Sequence, residues 1–406
     1  MSTTVSIERV TSPVSAESIP SAVRRAVRAA IGDEPLIRPG DTVLLKPNIF
    51  CPSPAPLTTD PRVVAAMVTV ALELGAGEVI VGEGRSISTA KYRKLNNTTR
   101  LCSEAIGMTQ AVEAAGGRML FFEEAERVEV EVPGGLVLKR VNVPKIALDA
   151  DVFIDMPVLK IHSLTLVTLG IKNLHGVISD DDKLFGHSYP ALPEKLTDFL
   201  RVRKPDLTVI DGVVGLEGDH AEEGTPVPMG LIFAGRDVVA VDAVACAVIG
   251  IDPMEVDINR VAQEQGLGVA DLSAIEVLGQ SIESARRPFK RPDIVLDKEL
   301  FPGLRIIAGE YCRSCEYYTR RGLDKLKDAG FFDGENELTI VLGKEPPAPE
   351  DVPGKVIMLG DCCLGSKSIL RLRNHLLLDG RLRMVYSCPP MQFRIRALDM
   401  VEDENP

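Results

Sequence analysis

A short, otherwise apolar stretch near the middle of the chain, DMPVLKIHSLTLVTLGIKNLHG at residues 155–176, contains two lysines and two histidines. A hydrophobic core does not need so many ionisable side chains, and four of the chain's five histidines lie between residues 162 and 220. Lysines bind carboxylates and phosphates, and imidazole transfers protons near neutral pH. The stretch therefore predicts a catalytic centre formed by Lys160, His162, Lys172 and His175.

The local structure of this stretch decides which of these side chains meet. The apolar run at 152–154 reads as a buried strand that ends at Asp155. If residues 164–175 form a helix, Lys172 and His175 share one face, with Thr168 one turn earlier. Each residue taken alone also fits an ordinary structural role, so the functional interpretation depends on their concentration.

Polar side chains also follow several other predicted strands. Lysine and asparagine close the strand at 42–45, an arginine follows the strand at 79–81, and an aspartate follows the strand at 207–210. In α/β folds, ligands bind beyond the carboxyl ends of the strands. The predicted substrate-binding residues are Lys46, Asn48, Arg85, Asn173, Asp211 and Glu217, whose acidic members would orient the other groups or bind a divalent cation.

The cysteines form a second candidate site, because five of the eight lie in the last hundred residues. Cys312 and Cys315 form a C-x2-C pair, whereas Cys362-Cys363 and Cys388 each follow a predicted strand. If those strands are parallel, the three loops lie at one edge of a sheet. Four thiolates bind zinc or an iron–sulfur cluster, and the proline after the last cysteine favours a 4Fe-4S cluster over zinc. The sequence leaves two questions open: which of the adjacent pair is the fourth ligand, and whether the thiols are merely buried structural groups.

Short buried strands alternate with helices along most of the chain, interrupted by a predicted hairpin at 128–143. This alternation predicts an α/β fold with a larger, mostly parallel (Rossmann-like) sheet domain and a smaller C-terminal α/β domain. The polar, basic segment 280–292 suggests a boundary, which gives domains 1–285 and 286–406. No dinucleotide fingerprint is present, since Gly82 and Gly84 have no third glycine in register.

Composition narrows the class of protein. The 406 residues are 45% hydrophobic and 26% charged, with a net charge of −12, which argues against general binding of nucleic acid. The N-terminus resembles no signal peptide, and no apolar run reaches the length of a membrane helix. We expect a cytoplasmic protein with no membrane or nucleic-acid partner; the sequence leaves open whether it forms a homo-oligomer.

Four segments together resemble the DUF362 family, a domain of unknown function. They are LLKPNI at 44–49, the stretch at 155–176, KPDLTVIDGVVGLEGD at 204–219 and AGRDVVAVDAVACAVIG at 234–250. Members of that family are often joined to iron–sulfur modules, frequently ferredoxin-like ones. This chain lacks the clustered C-x2-C-x2-C-x3-C-P run of ferredoxins, so its spread cysteines resemble a different cysteine-bearing tail. The resemblance supports the cluster and implies no particular reaction.

Three functional hypotheses follow. The first is an iron–sulfur enzyme that carries out a redox reaction or a cluster-assisted conversion of a small anionic substrate, with a redox protein as a further partner. The second is a non-redox, metal-dependent enzyme whose tail holds a structural zinc. The third is an electron-transfer or cluster-carrier protein, whose function would remain intact if the polar residues at 160–175 were replaced.

Overall fold

The computed structural model describes residues 3–11, 17–86, 98–186, 191–219, 224–297, 299–349 and 352–402. These residues form two compact units, the first extending to Pro292 and the second starting at Asp293. Residues 286–292, which the sequence analysis placed in the second domain, belong to the first unit.

The first unit is built on a 10-stranded sheet in the order β12-β1-β11-β10-β7-β2-β3-β4, with β8 pairing with β10 and β9. A separate antiparallel pair, β5 and β6, forms the predicted hairpin. The strands are β1 Thr3–Arg9, β2 Thr42–Pro47, β3 Glu78–Glu83, β4 Arg118–Phe121, β5 Arg127–Glu131, β6 Arg140–Pro144, β7 Val152–Met156, β8 Val158–His162, β9 Leu166–Thr168, β10 Leu207–Gly218, β11 Gly224–Gly235 and β12 Ile275–Gly279.

Most neighbours in this sheet are parallel. The run β10-β7-β2-β3-β4 is parallel throughout, whereas β11 is antiparallel to both β1 and β10. The predicted α/β fold with a large, mostly parallel sheet is therefore confirmed. The carboxyl ends of β2, β3 and β7 lie side by side in this arrangement.

The helices cover the sheet with their apolar faces, and the helix Pro61–Glu73 shows how local sequence starts one. Its N-cap Asp60 accepts a hydrogen bond from the Arg62 N–H, and Pro61 occupies the first turn, where a proline costs no backbone hydrogen bond. The α-helices of this unit are Ser18–Ile31, Pro61–Glu73, Thr99–Ala105, Met108–Ala114, Ile146–Asp149, Gly170–Asn173, Asp180–Leu184, Leu192–Asp198, Val238–Val248, Asp257–Glu264 and Ile282–Ala285.

The helix proposed for residues 164–175 is wrong over most of its length. Residues 166–168 form β9, which pairs with β8 in antiparallel fashion, and a helix begins only at Gly170. The alternating leucines and β-branched residues at 164–169 pack better on a pleated strand than on a helix. Thr168 is consequently on a strand, directly opposite Lys160.

The prediction that a strand ends at Asp211 is also wrong. β10 continues through this position to Gly218, with an irregularity in its pairing between Gly212 and Val214. Asp211 therefore lies within a strand and is 1% exposed.

The second unit is a four-stranded parallel sheet in the order β13-β14-β15-β16. Because all four strands are parallel, the loops that follow them emerge at one edge of the sheet. Three of these loops carry the cysteines predicted to be ligands. The strands are β13 Leu304–Ala308, β14 Leu338–Leu342, β15 Lys355–Leu359 and β16 Leu382–Val385, and the α-helices are Arg313–Asp328, Asp361–Leu364, Leu370–Leu378 and Met391–Val401.

Among the helices in the described part of the chain, none combines the length and apolarity required to cross a membrane.

Candidate functional site

A buried ion pair lies where β2 and β3 end. Lys46 Nζ lies 2.9 Å from Glu83 Oε2, and the two side chains are 0% and 4% exposed. Glu83 also accepts hydrogen bonds from the backbone N–H groups of Gly84 and Ile49, at 2.8 and 3.3 Å. A Cβ atom at Gly176 would lie 2.1 Å from Glu83 Oε1, so the chain passes this close to the pair only because that residue is glycine.

Two asparagines connect this ion pair to a second lysine. Asn173 Nδ2 donates to the Lys46 carbonyl at 3.2 Å and to Asp155 Oδ1 at 2.8 Å. Asn48 Nδ2 in turn donates to Asn173 Oδ1 at 3.0 Å, and Lys160 Nζ donates to Asn48 Oδ1 at 2.8 Å. A continuous hydrogen-bond network thus joins residues of β2, β7, β8 and the helix Gly170–Asn173.

Lys160 ends this network, and no carboxylate in the described part of the chain forms an ion pair with it. Its ammonium group donates to Asn48 Oδ1 and to the Leu57 carbonyl, the latter at 2.7 Å, and lies 5.4 Å from the centre of the Phe50 ring. The side chain is buried, at 2% exposure. Burial lowers the pKa of Lys160 to about 8, although the neighbouring Cys51 and Glu83 oppose the shift.

Lys172 lies close to Lys160 through Thr168. Lys172 Nζ is 3.3 Å from Thr168 Oγ1, and Thr168 is paired with Lys160 across the β8–β9 ladder. Lys172 is partly buried. Burial, reinforced by the positive charge of Lys160, lowers the pKa of Lys172 well below its usual range. We call Lys46, Asn48, Lys160, Lys172 and Asn173 the lysine centre.

The two predicted catalytic histidines differ in position. His162 ends β8, and its Nδ1 accepts hydrogen bonds from the backbone N–H groups of Leu164 and Thr165, at 3.1 and 3.3 Å. An Nδ1 that accepts two N–H groups carries no proton, so neutral His162 carries its proton on Nε2. His175 lies in the 3-10 turn Leu174–Gly176, and two further histidines, His187 and His220, lie outside the described residues.

Three predicted substrate-binding residues have other partners. Arg85 forms ion pairs with Glu123 and Asp180, at 3.7 and 3.6 Å. The Glu217 carboxylate accepts a hydrogen bond from the backbone N–H of Lys290, at 2.9 Å. None of these contacts involves the lysine centre.

The third of these residues, Asp211, supports the lysine centre indirectly. It accepts the Asp60 and Val213 N–H groups, at 2.8 and 3.0 Å, and burial raises its pKa to about 7. The neighbouring Thr59 hydroxyl accepts the backbone N–H of Asn48, at 2.8 Å. Asp211 therefore holds the segment that positions Asn48.

Sequence reasoning missed two buried carboxyl groups beside the site. Asp155 is fully buried, and burial raises its pKa well above its usual range. Asp242 accepts the N–H groups of Gly170 and Ile171, at 2.7 and 3.0 Å, and burial raises its pKa to about 7. Asp242 thereby fixes the start of the short helix that carries Lys172.

Two buried lysines were missed as well. Lys183 Nζ donates to the Arg85 carbonyl, and Lys195 Nζ donates to the Lys183 carbonyl, both at 2.7 Å. Burial lowers their pKa values to about 8 and about 7, respectively. Both residues lie among charged neighbours in sequence, so no pattern distinguishes them from solvated lysines.

In the second unit, three cysteines interact at the carboxyl edge of the sheet. Hydrogen bonding with Cys315 lowers the pKa of Cys312 to about 6 and that of Cys362 to about 7, and the same interactions raise the pKa of Cys315. Cys363 packs in a different apolar cluster from Cys315, with its sulfur 3.6 Å from the Val341 carbonyl, and burial raises its pKa to about 12. Of the adjacent pair, Cys362 and not Cys363 therefore belongs with Cys312 and Cys315.

The thiols at this edge of the sheet are the ligands that zinc and iron–sulfur clusters prefer, but their side chains are not arranged as a complete metal site. Within the described ranges, no group of three or more Cys, His, Asp or Glu side chains is positioned to hold a metal ion. The fourth predicted ligand, Cys388, follows β16 and is partly buried.

Comparison with known proteins identifies relatives of the chain. The model of the family described as "Domain of unknown function (DUF362)" matches residues 43–247, which are 205 of the 406 residues. The thylakoid-associated protein sll1697 of Synechocystis sp. is 27% identical over 288 residues, covering 69% of this chain and 85% of that protein. The lactate racemase apoprotein structure from Thermoanaerobacterium thermosaccharolyticum aligns with a TM-score of 0.38 at 13% identity, covering 94% of this chain and 92% of that one. A structural likeness this distant carries no information about the reaction.

Proposed function

We propose that this chain, which belongs to the DUF362 family, is an enzyme that binds a small anionic substrate at the lysine centre and acts on it by proton transfer. The observation that carries the proposal is the state of Lys160. This lysine is buried and, among the described residues, donates only to neutral oxygens, whereas the equally buried Lys46 has Glu83 as its counter-ion. A buried cation without a counter-charge is costly, and such perturbed groups concentrate at functional sites.

An anionic ligand would supply the missing charge. Because the chain as a whole carries a net charge of −12, its overall field repels anions, and only a local group of cations would attract one. A carboxylate beside Lys160 would form a charge-assisted hydrogen bond in a site from which water is largely excluded.

The same residues suit proton transfer. A general acid or base works best when its pKa is near the working pH, and the pKa of Lys160 is lowered to about 8. His162 lies on the same strand, and because its Nδ1 accepts two backbone N–H groups, the neutral imidazole carries its proton on Nε2. Lys160 would bind the substrate, and Lys172, His162 and His175 are the candidates for moving a proton.

Binding of oxalate, measured by isothermal titration calorimetry, tests the anion site. We expect Lys160→Met to weaken oxalate binding by roughly 10-fold or more, the usual effect of losing a charge-assisted hydrogen bond. Lys145→Met is the matched control, because Lys145 is about half exposed and its nearest carboxylate oxygen, on Glu126, is 3.8 Å away. Equal oxalate affinity in the two variants, both verified as folded by circular dichroism, would remove the proposal.

A specific observation favours a second function, the binding of a 4Fe-4S cluster or a metal ion by the second unit. Three interacting cysteines follow strands of one parallel sheet, and Cys388 follows the last strand. We propose Cys312, Cys315, Cys362 and Cys388 as the ligands of a 4Fe-4S cluster, with structural zinc as the alternative. Such a cluster would supply electron transfer or Lewis acidity, and a redox partner protein would follow from the first role.

Iron and acid-labile sulfide, measured on protein purified without oxygen, test this second proposal. We expect Cys312→Ser and Cys362→Ser to lose the iron and Cys363→Ser to keep it, since Cys363 packs on the other face. One zinc per chain and no colour would assign the tail a structural role. Equal iron in all three variants would exclude this ligand set.

A further inference from the structure

Lys172 differs from the other poorly exposed lysines of the described chain in what its amine contacts. The Nζ atoms of those lysines donate to carbonyl, amide or carboxylate oxygens, whereas that of Lys172 contacts only the Thr168 hydroxyl, at 3.3 Å. No carboxylate of the described residues lies within 4.0 Å of the Lys172 amine. The buried lysines with such partners are Lys46, Lys160, Lys183 and Lys195, and the partly buried Lys355 donates to the Val401 carbonyl.

This hydroxyl contact gives an ammonium group no counter-charge. An ammonium group has three donors and no acceptor, so it needs several oxygen partners when it is buried. Lys172 Nζ donates to Thr168 Oγ1, which leaves the lone pair of a neutral amine free to attack an electrophile. Burial and the nearby charge of Lys160 also lower the pKa of Lys172. A lysine that is desolvated beside a second cation is one of the known forms of an activated amine nucleophile.

The backbone holds Lys172 in a fixed place. Asp242 accepts the first two N–H groups of the helix Gly170–Asn173, and Asn173 is tied to Asp155 and to the Lys46 carbonyl. Lys172 itself is only partly buried, whereas Lys160 is almost completely buried. A small ligand can therefore reach the Lys172 side chain without unfolding its support.

We infer that Lys172 is a nucleophile that forms an imine with the carbonyl carbon of a small 2-oxo acid, whose carboxylate pairs with Lys160. The inference rests on the proposed anion site and names its substrate class. A 2-oxo acid carries an anionic and an electrophilic group on adjacent carbons, and both lysines adjoin Thr168: Lys160 is its partner across the β8–β9 ladder, and the Lys172 amine contacts its hydroxyl.

The step needs no further reactant. The Lys172 Nζ lone pair attacks the carbonyl carbon, a C–N bond forms, and the carbonyl π electrons move to the oxygen, which takes up a proton. The nitrogen loses one proton, its lone pair then forms the C=N bond while the hydroxyl group takes up a proton and leaves as water, and loss of the second N–H proton gives the neutral imine. Amine and carbonyl compound become imine and water, with no change in oxidation state.

Reductive trapping tests the inference. The full-length protein is incubated with glyoxylate or pyruvate and sodium cyanoborohydride, and each modified lysine is located by peptide mass spectrometry. We expect Lys172 to be modified at least roughly 10-fold faster than the exposed Lys145, as an unprotonated amine should be. Lys160→Met should slow the trapping at Lys172 by roughly 10-fold, through loss of the carboxylate partner.

Oxalate separates failure of this inference from failure of the proposed function, because it carries the anionic groups but forms no imine under these conditions. Oxalate binding without a Lys172 adduct would overturn the imine and leave the anion site standing. Neither oxalate binding nor adduct would overturn both. An adduct distributed over surface lysines, or one unaffected by Lys160→Met, would also overturn the inference; Lys172→Arg and Lys172→Met, confirmed as folded by circular dichroism, establish the background.

Discussion

Replacing Lys46 with methionine should destabilise the first unit strongly, because it leaves a buried carboxylate without its counter-ion. Methionine matches the length and apolar bulk of the lysine side chain, so the main change is the loss of the charge. Lys46 and Glu83 are 0% and 4% exposed and their charged atoms lie 2.9 Å apart. Gly176 passes close to the pair, since a Cβ atom there would lie 2.8 Å from Lys46 Nζ.

The structure sets the expected size of this effect. Removing one partner of a buried ion pair usually costs about 3–5 kcal/mol, because the remaining charge is uncompensated. Glu83 keeps two backbone N–H donors, which places the expected loss near the lower end, at about 3 kcal/mol. The double variant Lys46→Met/Glu83→Gln removes the orphaned charge, so it should be more stable than the single variant, with a coupling energy of about 2 kcal/mol.

Urea unfolding at pH 7 measures these free energies. The chain contains no tryptophan, so circular dichroism is the suitable signal. Arg140→Met is the matched control, because its partner is Glu129 at 3.0 Å but the two side chains are 63% and 57% exposed, and its loss should cost less than about 1 kcal/mol. A Lys46→Met variant no less stable than this control, or a double variant less stable than the single one, would refute the argument from uncompensated buried charge.

The remaining predictions also concern stability measured by urea unfolding. Asp198→Ala should cost about 3 kcal/mol, because the buried carboxylate accepts three successive backbone N–H groups, those of residues 136–138, at 2.7–2.8 Å. Gly322→Ala should cost about 1–3 kcal/mol, because its Cβ would lie 2.4 Å from the Phe393 ring in the core of the second unit. The free energy of unfolding should fall by about 2–3 kcal/mol between pH 5 and pH 8 through Asp242, whose pKa burial raises to about 7, and Asp242→Asn should flatten that fall.

The sign of the last effect follows from proton linkage. A carboxyl group with a raised pKa in the folded state binds its proton more tightly there than in the unfolded chain. Its contribution is complete below about pH 4 and is lost as the pH rises through 7. A wild-type pH dependence that Asp242→Asn leaves unchanged would show that another group is responsible.

The two substitution predictions have their own controls. Gly334→Ala should be almost neutral, because no heavy atom lies within 4 Å of its Cβ position and its φ of −119° suits alanine. A Gly322→Ala variant as stable as Gly334→Ala would mean that the Phe393 ring moves at no cost. Asp198→Asn keeps one acceptor oxygen and should lie between wild type and Asp198→Ala; the same loss in both would mean that the N–H groups are satisfied in another way.

The convergence of Lys46, Asn48 and Lys160 could be predicted from the sequence because it follows from a general property of α/β folds. Lys46 and Asn48 lie at the end of β2, Lys160 follows the end of β7, and parallel strands bring their carboxyl ends to one edge. The order of β2 and β7 in the sheet then sets their distances, which a single sequence does not give. The substrate-binding role of Lys46 and Asn48 and the catalytic role of Lys160 stay predictions.

What could not be predicted depends on contacts between distant parts of the chain. Lys195 looks like a solvated lysine in an acidic neighbourhood, and only the folded chain buries it against the Lys183 carbonyl. The run of leucines and β-branched residues at 164–169 is compatible with either a helix or a strand, and only the pairing of β9 with β8 decides for the strand. Asp211 before Gly212 resembles a turn, but the pairing of β10 with β11 carries the strand through it.

The two asparagines explain how Lys46 and Lys160 can be linked by hydrogen bonds at one edge of the sheet although only Lys46 is paired with a carboxylate. An amide both donates and accepts, so Asn48 and Asn173 pass hydrogen bonds from Lys160 to the Lys46 backbone without adding a charge. An aspartate at either position could not donate, and at position 48 it would neutralise Lys160 directly. Lys46 is compensated internally by Glu83, whereas no carboxylate of the described residues pairs with Lys160. The proposed anion site therefore depends on the neutral amide link as well as on the lysines.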